Sequence, residues 1–186
     1  MILPHVARFL LWLGGWTAVG RKPPVRKAVL IAAPHTSNWD GFWAICYKVY
    51  TGIDIRWFVK ESMFWFPMNI LLRINGAIPL NRSRATSSVA LAVTAFDEND
   101  DLYFGLAPEG TRSKVDSWKS GFYRIAEGAN VPVVLGFLDY ENKRLGLGPT
   151  VTLTGDRKAD MAIIESFYSA ITGRWPEKTG PIELSR

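Results

Sequence analysis

The chain has 186 residues, which leaves room for one sizeable core and argues against a two-domain enzyme. Its 48% hydrophobic and 21% charged residues exclude a disordered or low-complexity chain. The single cysteine, Cys46, excludes an intramolecular disulfide and favours a reducing compartment. With only His5 and His35, the chain cannot build a multi-histidine metal site, so we expect no metal.

The net charge of +5 belongs to the N-terminal part of the chain. Five basic residues precede the first acidic residue, Asp40, and leave 17 basic residues to balance the 17 acidic ones. These five are Arg8, Arg21, Lys22, Arg26 and Lys27. A basic end on a neutral body does not indicate a nucleic-acid-binding face, whereas an anionic membrane surface would attract it. No stretch free of charged residues exceeds 12 residues, too short for a spanning helix of about 20.

Residues 1–19 are predicted to form an amphipathic helix. Five apolar residues repeat at intervals of three or four and form one stripe: Ile2, Val6, Phe9, Leu13 and Trp16. Such a stripe is typical of a helix lying at a membrane interface, and equally of a terminal helix packed on its own domain. We divide the chain into an N-terminal helix and linker (1–24), one domain (25–175) and a C-terminal tail (176–186).

Strands and helices alternate after residue 24. Strands are predicted at 27–33, 55–60, 76–80, 102–107, 131–138, 145–147 and 150–154. Helices are predicted at 39–50, 62–73, 84–97, 119–129 and 160–171, and residues 180–186 as a loose tail. This alternation predicts a single-domain α/β fold with a mixed, mostly parallel sheet flanked by helices. Within 62–73, the adjacent aromatics Phe64, Trp65 and Phe66 cannot all face one buried side, so some of them are candidates for lipid contact.

The segment PHTSNWD at 34–40 joins a predicted strand to a predicted helix. His35 and Asp40 would point about 140° apart on a continuous helix, so they can meet only if the chain bends between them. Pro34 ends the strand, and Ser37 or Asn38 can cap the helix. We therefore predict that Asp40 binds one imidazole nitrogen of His35 and leaves the other free as a base. The alternative is a capped helix beside a purely structural histidine.

A second motif, PEGTR at 108–112, follows the strand predicted at 102–107. Ligands of α/β proteins gather beyond the carboxyl ends of strands. Gly110 permits a tight turn, Thr111 adds a hydroxyl, and Arg112 offers a planar fork for a phosphate or carboxylate. The alternative is a surface turn closed by an ion pair between Glu109 and Arg112.

Four ordered segments give the chain a family resemblance: HTSNWD, GAIPLNR at 76–82, PEGTR, and VPV at 131–133. Together they resemble the sequence blocks of PlsC-like glycerolipid acyltransferases, the lysophosphatidate acyltransferase family. The resemblance implies that His35 is the catalytic base and Asp40 the carboxylate that orients it. It also implies that Arg82, Glu109, Gly110, Thr111 and Arg112 bind the acyl acceptor.

The resemblance implies a membrane-associated enzyme that moves a fatty acyl group from an acyl thioester to a lysophospholipid hydroxyl. The acceptor would most simply be 1-acylglycerol 3-phosphate, and the donor acyl-CoA or acyl carrier protein, with no further cofactor. The implied location is the cytoplasmic face of the inner membrane. Three alternatives stay open: another lysolipid or amphiphilic alcohol as acceptor, a hydrolase using Ser37 or Ser120, and a non-catalytic lipid-binding protein. The chain has no G-x-S-x-G motif, which disfavours the hydrolase.

Overall fold

The computed structural model describes residues 3–20, 22–80 and 88–185. Its strands are β1 (Thr17–Val19), β2 (Lys27–Ala33), β3 (Ile55–Lys60), β4 (Ala77–Leu80), β5 (Leu102–Leu106), β6 (Val133–Asp139) and β7 (Arg144–Val151). Its helices are α1 (Leu3–Leu13), α2 (Asn38–Thr51), α3 (Met68–Ile74), α4 (Ser88–Asp97), α5 (Gly121–Ala129) and α6 (Arg157–Tyr168). Short 3-10 turns span Glu61–Met63 and Pro176–Lys178.

All seven strands of the described chain join one sheet in the order β1-β7-β6-β2-β5-β3-β4. Neighbouring strands are parallel except β6 and β7, so the predicted mixed, mostly parallel sheet is confirmed. Ile31 of β2 lies beside Leu106 of β5, and Ala33 lies beside Phe137 of β6. The chain segments that follow these three strands therefore meet at one edge of the sheet.

Helices cover both faces of the sheet. Side chains of β2 alternate between the faces, as expected for a strand buried on both sides: Val29 and Ile31 join the core under α4, α5 and α6, while Ala28 and Leu30 join the core under α1 and α2. This burial explains the continuous apolar sequence of β2.

The N-terminal helix is shorter than predicted. It ends at Leu13, Gly15 adopts a left-handed conformation, and residues 17–19 form β1 beside β7. Ala7 and Leu11 are buried, whereas Val6, Phe9 and Leu13 of the predicted stripe are exposed. The helix thus packs on its own domain through one face and presents the stripe outward. Ile2 lies outside the described residues, and Trp16 is a buried residue beyond the helix.

Two further predictions were wrong in detail. The helix predicted at 62–73 is not continuous: the 3-10 turn ends at Met63, residues 64–67 are not helical, and α3 begins only after Pro67. The two strands predicted around Gly148 and Pro149 are one strand, β7. Pro149 is tolerated there because it lies at a register shift opposite β6 and beyond the end of β1 pairing at Gly146.

The C-terminal tail is not loose where it is described. The Trp118 N–H donates to the carbonyl of Glu183 at 2.6 Å, and the Ser185 N–H donates to the carbonyl of Trp118 at 2.8 Å. Ile182 and Leu184 pack against the core. Apolar residues alternating with polar ones explain this short strand-like attachment.

Candidate active site

The chain bends between β2 and α2 as predicted. The strand ends at Ala33, the Ala33–Pro34 peptide is cis, and Ser37 has the extended conformation of a helix N-cap. The Ser37 hydroxyl accepts a hydrogen bond from the Trp39 N–H, and the Asp40 carboxylate accepts one from the Ser37 N–H. This capping box holds Asp40 in the first turn of α2.

His35 and Asp40 meet across this bend. The Nδ1 atom of His35 lies 3.2 Å from Oδ2 of Asp40. The same oxygen accepts hydrogen bonds from the N–H groups of Thr36 and Ser37, both at 2.8 Å. The Asp40 side chain is 2% exposed and that of His35 is 22% exposed. The carboxylate is therefore fixed by the backbone, while the imidazole keeps an open edge.

The second carboxylate oxygen of Asp40 is bound by Tyr140, which follows β6. The Tyr140 hydroxyl donates to Oδ1 at 2.7 Å. Burial pushes the pKa of Asp40 upward, but hydrogen bonds from His35, Tyr140 and the Ser37 backbone outweigh it and hold that pKa below its ordinary value. Burial and the neighbouring Asp40 raise the pKa of Tyr140, so the phenol stays protonated as a donor. Asp40 is therefore held as a carboxylate.

Glu109, in the loop that follows the neighbouring strand β5, supports the same loop. Its Oε1 accepts a hydrogen bond from the His35 backbone N–H at 3.0 Å. The residue is 7% exposed, and its Oε2 atom is buried without a hydrogen-bond partner in the described structure. Burial raises the pKa of this carboxyl, despite the His35 hydrogen bond. Glu109 thus binds the histidine loop rather than closing a surface turn with Arg112.

Gly110, Thr111 and Arg112 of the PEGTR loop lie at the surface beside this contact. Gly110 has a φ of +66°, which favours glycine, and its N–H donates to the Ala107 carbonyl at 3.1 Å. The Lys119 side chain lies directly against Gly110, where an added Cβ would come within 2.8 Å of Nζ. Thr111 and Arg112 are exposed. The structure therefore brings His35, Asp40 and Glu109 together, with Arg112 at the end of the same loop.

Arg82, the other predicted acceptor-binding arginine, lies outside the described residues. In the ranges that the structure covers, no cluster of three His, Cys, Asp or Glu side chains could hold a metal ion.

Sequence reasoning missed a segment that lies over the histidine loop. The Trp175 N–H donates to the Thr36 hydroxyl at 3.2 Å. The Arg174 guanidinium lies 5.8 Å from the Trp39 ring and 5.9 Å from the Tyr140 ring. Tyr140 and this segment come from distant parts of the chain and form no local motif. Only the strand order, which places β6 beside β2, could have indicated Tyr140.

Comparison with protein families identifies the chain. The family model described as Acyltransferase matches residues 17–134, more than half of the sequence. The chain belongs to the Acyltransferase family. This membership confirms the prediction of an acyltransferase enzyme. The matched region contains His35, Asp40 and the PEGTR loop, and it ends before Tyr140 and Arg174.

A solved structure with a similar fold is the 1-acyl-sn-glycerophosphate (LPA) acyltransferase PlsC from Thermotoga maritima. It shares 19% sequence identity with this acyltransferase and has a TM-score of 0.65. The alignment covers 93% of this chain and 79% of that chain. At this identity the likeness shows the shared fold, which confirms the predicted α/β architecture. No curated protein matches the sequence.

Proposed function

We propose that this acyltransferase moves a fatty acyl group from an acyl thioester to the hydroxyl of a lysophospholipid. The observation that carries the proposal is the His35–Asp40 contact of 3.2 Å, in which the carboxylate is buried and the imidazole keeps an accessible edge. The similar fold of Thermotoga maritima PlsC, a 1-acyl-sn-glycerophosphate acyltransferase, supports 1-acylglycerol 3-phosphate as the acceptor. Another lysolipid or amphiphilic alcohol is the alternative acceptor.

His35 acts as the general base in this proposal. Its Nδ1–H donates to Asp40, so Nε2 accepts the proton of the acceptor hydroxyl as that oxygen attacks the thioester carbonyl carbon. A new C–O bond forms, and the tetrahedral intermediate collapses with cleavage of the C–S bond. The leaving thiolate then takes the proton from the imidazolium. Asp40 stabilises that imidazolium and keeps the neutral ring in one tautomer.

The acceptor phosphate is assigned to the PEGTR loop and to Arg82. The exposed Thr111 and Arg112 supply a hydroxyl and a bidentate guanidinium beside the His35 loop. Gly110 lets the backbone turn there, and Glu109 fixes the loop against the His35 backbone. The donor is acyl-CoA or acyl carrier protein, and no cofactor takes part in the transfer.

A panel of lysolipids and acyl thioesters, scored by product mass, tests this assignment. We expect His35→Ala to lower thiol release by about 100-fold or more, since the base contributes about 10² to 10⁴ to the rate. His5→Ala is the matched control, because His5 is the other histidine and lies exposed on α1. A near-normal rate in His35→Ala contradicts the mechanism, and release of free fatty acid without an acceptor indicates a hydrolase.

We also propose that the protein binds an anionic membrane surface as a peripheral protein. None of the described helices has the length and apolarity to cross a bilayer. The outward side chains of α1 support the proposal: Phe9, Trp12 and Leu13 are each more than half exposed. Trp39 and Phe42, in the first half of α2, are exposed beside the site as well. This arrangement places an apolar surface next to the histidine that would meet a lipid.

Fewer of the N-terminal basic residues are available to bind an anionic membrane surface than their number suggests. Arg26 forms an ion pair with Asp101 at 2.7 Å, and the Lys27 ammonium donates to the Phe96 carbonyl. Arg21 lies outside the described residues, which leaves Arg8 and Lys22 as the described candidates for anionic headgroups. The buried Cys46, which has no disulfide partner among the described residues, fits the proposed location at the cytoplasmic face of the inner membrane.

Flotation with vesicles of phosphatidylglycerol tests the membrane contact. We expect Phe9→Ser combined with Leu13→Ser to reduce the floated fraction, because both side chains are exposed on α1. Ile163→Ser is the matched control, since Ile163 is an exposed apolar residue of α6. A second variant, Phe66→Ser, tests the other exposed aromatic segment. Flotation unchanged in all variants contradicts the proposal.

A further inference from the structure

Tyr140 makes a contact that the proposed reaction does not yet use. Its hydroxyl donates to Oδ1 of Asp40 at 2.7 Å, on the side of the carboxylate away from His35. The other oxygen, Oδ2, is contacted by the N–H groups of Thr36 and Ser37 and by the His35 imidazole. Of the described residues, Tyr140 is therefore the donor that satisfies Oδ1.

Contacts of both its ring and its backbone restrain Tyr140. Its ring meets Trp16 edge-on, with ring centroids 4.8 Å apart. Its backbone N–H donates to the Thr172 carbonyl at 2.9 Å, and the Arg174 guanidinium lies beside the ring. A side chain restrained in this way can fix the orientation of the group it binds.

We infer that Tyr140 is a positioning residue, which holds the Asp40 carboxylate in the plane that directs the His35 imidazole toward substrate. The inference rests on the proposed acyl transfer. A carboxylate bound at only one oxygen can rotate about its Cβ–Cγ bond, whereas donors at both oxygens fix its plane. Because Nδ1 of His35 is bound to Oδ2 of Asp40, a carboxylate with a fixed plane also fixes the direction in which Nε2 points.

Tyr140→Phe is the direct test, because phenylalanine keeps the ring against Trp16 and removes only the hydroxyl. We expect kcat for acyl transfer to fall by about tenfold, with KM for the thioester changed by less than about twofold. A fall of this kind indicates a group that acts on the chemical step rather than on binding.

The chain offers a matched control outside the site. Tyr123 of α5 donates its hydroxyl to Asp160 at 2.6 Å, so Tyr123→Phe removes the same kind of bond from another buried carboxylate. We expect this variant to retain the wild-type kcat. Its melting temperature, compared with that of Tyr140→Phe, shows how much activity either change loses through unfolding.

A second readout is independent of turnover. The chain contains only two histidines, so ¹⁵N-histidine labelling gives two imidazole spin systems, assigned with His5→Ala. We expect neutral His35 to be the Nδ1–H tautomer in the wild type and a mixture of tautomers in Tyr140→Phe. In an Asp40→Asn background, Tyr140→Phe is expected to cause no further change, because both act through one carboxylate.

The pH profile gives a third readout. The titratable and charged groups around Asp40 are His35 of the same loop, Tyr140 with the Arg174 guanidinium beside its ring, and Glu109 of the loop that follows β5. Loss of the Tyr140 hydrogen bond favours protonation of Asp40, so the acid limb of kcat/KM should move to higher pH.

The outcomes separate the two proposals. Tyr140→Phe with wild-type kcat, pH profile and tautomer overturns the role of Tyr140. Loss of activity that only parallels a lower melting temperature, with the tautomer unchanged, also overturns it. If the wild type converts no lysolipid of the panel, the proposed function fails, while the imidazole signals still decide whether Tyr140 positions His35.

Discussion

Two buried aspartates occupy corresponding places in this protein. Asp40 lies in the first turn of α2, and Asp160 lies in the first turn of α6. Each accepts a tyrosine hydroxyl, from Tyr140 or Tyr123, and each also accepts backbone N–H groups at its helix start. Hydrogen bonds outweigh burial at both sites and hold both pKa values below the ordinary value of an aspartate.

The two sites differ in the remaining hydrogen-bond partner of the carboxylate. Asp160 is completed by the backbone N–H and the hydroxyl of Thr154, groups that do not titrate. Asp40 is completed by His35, whose imidazole is partly exposed at the carboxyl edge of the sheet. Burial, helix position and a lowered pKa are therefore common to a structural and a candidate catalytic carboxylate. What distinguishes the candidate site is a titratable partner with an accessible edge.

Amide substitution at the two aspartates should separate these roles most strongly. We expect Asp40→Asn to lower kcat for acyl transfer by about 100-fold or more, because the imidazolium loses its counter-charge and His35 its preferred tautomer. Asp160→Asn should leave the kcat of the folded protein unchanged. Initial rates with an acyl thioester and lysolipid, normalised to folded protein, measure both. Equal losses in the two variants would contradict the distinction.

The same substitution at Asp160 should act on stability instead. An amide presents a donor where Tyr123 and Thr154 now donate, so we expect the free energy of unfolding to fall by about 2–3 kcal/mol. Urea denaturation measures the change. A cost below about 0.5 kcal/mol would show that Asp160 contributes little to the fold.

The sequence predicted the bend around His35 because each step is local. Proline ends a strand, and a serine or asparagine just after it can cap the start of a helix. It did not indicate Tyr140, because that residue lies 100 positions from Asp40 and meets it only through the pairing of β2 with β6.

The elements of the fold that local sequence defines were predicted correctly, and those that depend on tertiary contacts were not. β2 and β3 begin and end as predicted, since apolar runs bounded by turn residues define them. β1 was predicted as helix because its three residues carry no pattern of their own, and only the adjacent β7 makes them a strand. The attachment of the C-terminal tail to Trp118 is likewise a tertiary contact.

Glu109 is another buried carboxylate, and we expect its substitution to change the free energy of unfolding less than substitution of Asp160 does. Alanine at this position leaves the His35 N–H without its acceptor, and we expect a cost of about 1–2 kcal/mol in unfolding free energy. Glu109→Gln keeps a carbonyl oxygen for that N–H, so it should cost less than about 1 kcal/mol. Thermal and urea denaturation compare the two variants. Equal costs would show that the hydrogen bond to His35 contributes nothing measurable.

The smallest expected effect is on the pH dependence of the free energy of unfolding, which should differ between the two aspartates and Glu109. Asp40 and Asp160 have lowered pKa values in the fold, so their stabilisation is present above the unfolded value of about 3.9 and is lost as pH falls through the folded pKa.

Glu109 should act in the opposite direction. Burial raises its pKa, so its contribution is complete below the unfolded value of about 4.3 and is lost as pH rises through the folded pKa. Unfolding free energies measured by urea denaturation across the acid range test both signs. Asp160→Asn should flatten the decline at low pH, and Glu109→Gln should flatten the decline above the glutamate value. The comparison fails if Glu109→Gln instead flattens the low-pH decline, because Glu109 would then be an ionised partner of His35 like Asp40.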